Sequence, residues 1–226
     1  MDFDIIQRVL SSIIVVTATS ISVYYGGLVS ILFFSICFMF AIVEWYKISF
    51  AICAKKSCTN TAEVLKQFSR FEIYKFLSLI MIGSLYIFFG LFFMAFHSFF
   101  CDYQIVGYIV GICWITDTSA FISGRLMGGR KLAPHISPGK TWSGFLIGVL
   151  VGYISSIIFS AIFFTKVLWF QGLFICIISQ LGDLLESFCK RKANIKDSGN
   201  IIPGHGGMLD RIDSILAASL FYFLFL

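Results

Sequence analysis

Long apolar stretches alternate with short polar ones along nearly the whole chain, and the stretches have the length of membrane helices. A helix needs about 20 residues to cross the hydrocarbon core. Seven segments meet or approach that length: Val9 to Tyr25, Leu28 to Tyr46 with an interfacial continuation to Ala54, Ile73 to Phe96, Ile105 to Leu126, Trp142 to Phe164, Val167 to Leu185, and Ser214 to Leu226. The last is short for a full crossing. All three prolines, Pro134, Pro138 and Pro203, fall in the two later polar loops, which therefore carry turn chemistry while the rest is helix. The pattern predicts an all-α polytopic membrane protein of about seven transmembrane helices. It reads as one domain over residues 1–226, with N-terminal membrane helices in 1–104 and a core holding the chemistry in 105–226.

Composition agrees. Residues are 58% hydrophobic and only 13% charged, against about 25% charged in soluble domains, and the mean hydropathy is +0.91. The net charge of +5 matters less than its distribution. Basic residues gather in Lys55 to Lys75, Arg125 to Lys140 and Lys190 to Arg211, each between apolar segments. The positive-inside rule places these loops and the N-terminus in the cytoplasm, with the turns at His97 to Gln104 and Thr165 to Lys166 outside. That explanation leaves no role for nucleic acid. The seven cysteines are irregularly spaced without a CxxC, so they read as reduced, small apolar residues and not as a zinc site. Asp2 and Asp4 precede Arg8 and no A-x-A-like site follows, so the first apolar stretch is expected to remain as a helix.

The chemistry concentrates in SFCKRKANIKDSGNIIPGHGGMLDRIDS, residues 187–214, beside acids at the ends of apolar segments. Charges at such depth default to a functional reading. Glu44, next to Trp45 and Lys47, reads instead as an interfacial carboxylate. Asp183 and Glu186 share one helix face, as Asp210 and Asp213 do, and like charges so placed repel unless a metal or a base intervenes. Mg²⁺ takes one or two carboxylates plus phosphate oxygens and water. Lys190, Arg191, Lys196 and Arg211 can hold phosphates, and Gly204, Gly206 and Gly207 let backbone approach them. His205 could touch a phosphate or a base. The earlier loop, GRLMGGRKLAPHISPGKTWSG, repeats this chemistry with Arg125, Arg130, Lys131, Lys140, Ser137 and Thr141. Its SPGKT resembles the tail of a P-loop, but Pro134 stands where the opening glycine belongs. No G-x-S-x-G elbow or Ser-His-Asp set is present. The residues point to phosphoryl or nucleotidyl transfer at a membrane surface.

The run Ser187, Lys190, Arg191, Lys196, Asp197, Pro203, Gly204, His205, Gly206, Gly207, Asp210, Arg211 and Asp213 closely resembles the signature of phosphatidate cytidylyltransferases, the CDP-diacylglycerol synthases. GDLLES from Gly182 and DTSAFISGRLMGGRKLAPHISPGKTWSG from Asp117 resemble that family as well. The chain departs from it at Ser143, where many members have glutamate, and at Gly139, where some have lysine. The resemblance implies a bacterial inner-membrane enzyme joining CTP and phosphatidate into CDP-diacylglycerol and pyrophosphate, with its site on the cytoplasmic side. It implies Mg²⁺ at Asp183 and Asp210, with Asp213 and Glu186 in support, and leaves a second, monovalent cation open. Lys190, Arg191, Lys196, Asp197, His205 and Arg211 would serve catalysis. Asp117, Arg125, Ser137, Lys140, Thr141, Ser187, Gly204, Gly206 and Gly207 would bind substrate. Membrane lipids are the expected surroundings and a homodimer is compatible. A CTP-dependent polyprenol or phytol kinase is the alternative enzyme, and a proton-coupled transporter using Asp117 and Asp183 the alternative outside enzymes.

Overall fold

A computed structural model describes residues 2–54, 69–101, 103–164, 168–202, 204 and 206–225, with the side chains of 2–6, 8, 9 and 101 left aside. Pro203, His205, Cys58, most of the first basic loop and the turn at Thr165 to Lys166 lie outside the described residues. The elements are α1 (Asp2–Tyr25), α2 (Gly27–Cys53), α3 (Arg70–Phe96), a π-helical turn (His97–Cys101), α4 (Tyr103–Met127), β1 (Lys131–Ala133), β2 (Ser137–Thr141), α5 (Trp142–Phe163), α6 (Trp169–Lys192) and α7 (Leu209–Phe225). Five helices, α2 to α6, are long and apolar enough to cross a membrane, α3 together with its π-helical turn. The apolar part of α1, Leu10–Tyr25, is shorter, and α7 has 17 residues.

Local sequence explains the ends. Ser69 and Glu72 form a reciprocal capping box that starts α3. Thr141 accepts a hydrogen bond from the Gly144 N–H and starts α5. α6 ends where Asn194 turns left-handed, at φ 58°. This reverses the chain so that the polar segment after it folds back over the end of α6.

The bundle is more apolar outside than inside. Along α5, Leu146, Leu150, Ile154 and Ile158 are exposed, whereas Gly144, Gly148, Gly152, Ser156 and Ser160 are buried. Lipid rewards apolar exteriors, and small residues let helix backbones approach inside. A Cβ on Gly148 would lie 2.7 Å from the Ala120 Cβ and 3.0 Å from the Thr116 carbonyl oxygen of α4. On α2 the Trp45 ring packs over Gly83 of α3 and donates its indole N–H to the Leu79 carbonyl at 2.9 Å. Gly182 brings α6 against Asp213 and Ala217 of α7. Cys37, Cys53, Cys113 and Cys176 are buried free thiols among the described residues.

Three helix ends, one turn and one loop differ from the sequence reading: α1 starts at Asp2 instead of Val9, and the expected turn from His97 is helical to Cys101. α6 continues past Leu185 to Lys192, and α7 starts at Leu209 instead of Ser214. The loop after α4 contains a small antiparallel hairpin, with Lys131 opposite Thr141 and Ala133 opposite Ser137, so the fold is not purely helical. Positive-φ Gly128 and Gly129 turn the chain out of α4 into that hairpin.

Candidate active site

Two cavities with charged linings meet at Asp117 of α4 and Asp183 of α6. The first, about 680 Å³, lies among α4, the hairpin, α5 and α6. Arg125, Lys131, Lys140, Ser137 and Thr141 line it, so bases outnumber its two acids, Asp117 and Asp183. The second, about 640 Å³, lies among α1, α4, α6 and α7. Among the described residues, Asp117, Asp183, Asp197, Asp210 and Asp213 there face only Lys190 and Arg211. A basic chamber and an acidic chamber thus share one wall.

Hydrogen bonds and ion pairs fix that wall. The Lys140 ammonium pairs with Asp183 at 2.7 Å and donates to the Gln180 carbonyl at 3.4 Å. The Ser187 hydroxyl donates to Asp183 at 3.3 Å, and the Ser214 hydroxyl to Asp117 at 2.9 Å. The Lys190 ammonium sits between Asp210, at 2.6 Å, and Glu186, at 3.1 Å. Glu186 lies one turn before Lys190, so the extension of α6 into the polar region is what creates this pair.

The glycine-rich segment closes over the acids. Asp210 accepts the Ser198 and Gly207 backbone N–H groups, both at 2.9 Å. Burial works against the ionised Asp210 carboxyl, but the bond and charge of Lys190, with those two N–H groups, hold it below the ordinary carboxylate range. Gly206 has φ 84°, and a Cβ there would lie 2.9 Å from the Asp210 Oδ2. Glycine is therefore demanded twice at this position.

The structure gathers most of the sequence-derived set and redistributes part of it. Asp117, Arg125, Ser137, Lys140, Thr141, Asp183, Lys190, Asp197, Asp210, Arg211 and Asp213 line one or both cavities. Arg191, read as a phosphate ligand, donates to the carbonyls of Ile136 and Ile195 and ties the hairpin to the turn after α6. Lys196 is exposed beside Asp197. Gly204, at φ 74°, is an exposed turn residue. Glu186 is buried behind Lys190 and lines neither cavity.

Other contributors were missed by sequence reading. Ser11 and Ser12 of α1 line the acidic chamber, and Gln180 lines the basic one. Nothing in an apolar helix distinguishes such residues beyond their polarity. Ser143, at one departure from the family pattern, donates to the Gly128 carbonyl and anchors the turn after α4. Glu44 is fully buried, not interfacial.

Among the described residues no cluster of three acids, histidines or cysteines is arranged to hold a metal ion. Mg²⁺ does not require one, because phosphate oxygens and water complete its shell. Acidic walls from Asp117, Asp183, Asp210 and Asp213 fit such an ion.

The model of the cytidylyltransferase family matches residues 51–226. The chain is 40% identical over 121 residues to a phosphatidate cytidylyltransferase of Brucella abortus, covering 52% of this chain and 45% of that protein. It is 49% identical over 124 residues to one from Rickettsia bellii, covering 50% and 54%. It is 43% identical over 128 residues to one from Haemophilus influenzae, covering 51% and 44%. The chain spans about half the length of the curated relatives it matches.

Proposed function

The chain belongs to the cytidylyltransferase family, and from that premise we propose that it transfers the cytidylyl group of CTP to phosphatidate, giving CDP-diacylglycerol and pyrophosphate. The observation that carries this reading is the pair of chambers, one basic and one acidic, meeting at Asp117 and Asp183. A triphosphate suits the basic chamber, where Arg125, Lys131 and Lys140 offset its charge and Ser137 and Thr141 offer hydroxyls.

The lipid suits the acidic chamber, because that chamber opens onto an apolar groove. Ser11, Val15, Trp114 and Arg211 line both. The groove, about 300 Å³, runs among α1, α2, α3, α4 and α7 and includes Ile14, Phe33, Phe34, Leu91 and Ile215. An acyl chain would lie there, with its phosphate beside Arg211. Lipid entry would then involve α1.

The phosphatidate phosphate is a monoester with a second pKa of about 6, so near pH 7 it is largely dianionic and already nucleophilic. Its oxygen attacks the α-phosphorus of CTP. A new P–O–P bond forms as the bond from the α-phosphorus to the bridging oxygen breaks, and that electron pair leaves with pyrophosphate. No general base is needed. Asp183 and Asp210 would hold Mg²⁺, with Asp117 and Asp213 in support, while Glu186 acts behind them through Lys190. Bound there, the ion would neutralise phosphate charge that otherwise opposes the approach of two anions. Lys140, through Asp183, keeps one of those carboxylates oriented. The positive-inside rule supports a cytoplasmic position for both chambers in a bacterial inner membrane, with α1 and α7 completing seven crossings.

The test is product identity. With phosphatidate and CTP, pyrophosphate should appear in step with CDP-diacylglycerol. Release of CDP with phosphorylation of an added polyprenol would overturn the reading in favour of the kinase.

A further inference from the structure

We infer that Glu44, on α2 and outside both chambers, is the positioning residue that sets the glycine-rich segment and the start of α7. The inference rests on the proposed reaction. Glu44 is fully buried, with its carboxyl against the glycine-rich segment. Its Oε2 accepts the Ser198 hydroxyl and the Leu209 backbone N–H, each at 2.8 Å, and its Oε1 accepts the Met208 N–H at 3.0 Å. A carboxylate lost in such surroundings would be costly, and these donors are what satisfy it.

Met208 and Leu209 sit where α7 begins, so their N–H groups have no acceptor one turn earlier in that helix. Glu44 caps the helix from another element and sets its negative charge at the positive end of the helix dipole. The segment has also been shaped around this carboxyl. A Cβ at Gly207 would lie 2.5 Å from the Glu44 Oε2, and one at Gly199 would collide with the Glu44 Oε1. Asp210 grips the same segment from the other side, through the Ser198 and Gly207 N–H groups. The two carboxyls hold one short loop between them. Ser198 is bonded by both, through its hydroxyl to Glu44 and its N–H to Asp210. Because α7 starts where Glu44 places it, Glu44 also sets where Asp210 and Asp213 face the acidic chamber.

The test compares the wild-type protein in detergent with Glu44→Gln and Ser198→Ala, using Lys47→Ala as a surface control. Three quantities are measured: amide hydrogen exchange across residues 198–210, the thermal midpoint, and kcat with KM for CTP and phosphatidate. Glu44→Gln keeps the size but turns one acceptor oxygen into a donor facing N–H groups. Exchange at Met208 and Leu209 should quicken by about 10- to 100-fold, with α3 and α5 unchanged. The same variant should lower kcat by about 10-fold or more, with both KM values within about twofold of wild type. Ser198→Ala removes one donor and should give a smaller effect of the same kind. Unchanged exchange at 208 and 209 would overturn the inference. So would faster exchange spread equally over all helices, or local loosening with kcat intact. A wild-type protein that transfers no cytidylyl group would instead defeat the proposed reaction, and the exchange data would still decide whether Glu44 holds the loop.

Discussion

Lys190 shows how one residue can serve stability and chemistry together. Read from sequence it is a phosphate ligand, yet its ammonium lies between Glu186 and Asp210, with all three side chains less than a tenth exposed. Deleting one member of a buried ion cluster leaves uncompensated charge, typically at a cost of about 3–5 kcal/mol. Lys190→Met should therefore lower the melting temperature in detergent sharply, and an unchanged midpoint would contradict the cluster. Asp210 shares this cluster and lines the same chamber, but in the proposed reaction it also holds the metal ion. Asp210→Asn keeps the shape and should lower kcat by about 10²- to 10³-fold, the usual scale for losing one electrostatic contributor, while the protein still inserts and folds. Retained turnover would remove Asp210 from the metal role. Lys47, exposed on α2, supplies the contrast: Lys47→Ala should leave stability within about 0.5 kcal/mol and activity unchanged.

At the scale of elements, α4 and α5 form the frame on which Asp117 and the hairpin are carried. Their contact depends on the glycines of α5, so Gly148→Leu should force them apart. Overpacking of this kind costs about 1–3 kcal/mol and should lower the thermal midpoint, with Leu146→Ala on the exposed face as the mild comparison. A Gly148→Leu protein as stable as wild type would show that the helices do not meet there. The apolar segments were legible from hydropathy, to within a few residues at most ends. The misplaced ends of α6 and α7 share a cause. Hydropathy reports the thickness of the bilayer, whereas α6 and α7 continue as helix into the polar region, where Glu186 and Lys190 pair along one face. The hairpin was hidden because Pro138 and Gly139 are poor strand formers, and its short strands exist only because the loop closes on itself. The chemistry of 187–214 was legible because charge and glycine stand out in an apolar chain. Glu44 was not, since its partner Ser198 is 154 residues away in sequence and Trp45 and Lys47 suggested an interface.

The whole molecule joins a polar site to a lipid-facing bundle. Its exposed surface is apolar along α1 to α5, its interior carries small and polar residues, and its charged groups gather around two chambers. Such a layout suits one water-soluble and one membrane-bound substrate meeting at Asp117 and Asp183. If the basic loops face the cytoplasm, a single cysteine placed at exposed Arg130 should react with an impermeant thiol reagent only when that side of the membrane is accessible. Labelling from the outer side would reverse the topology. The most direct test of the central claim is turnover of the purified protein in detergent with radiolabelled CTP, with and without phosphatidate and with and without Mg²⁺. Labelled CDP-diacylglycerol should form only when phosphatidate and the metal ion are both present. A folded protein that puts no label into lipid under those conditions, or does so equally well without the metal, would contradict that claim.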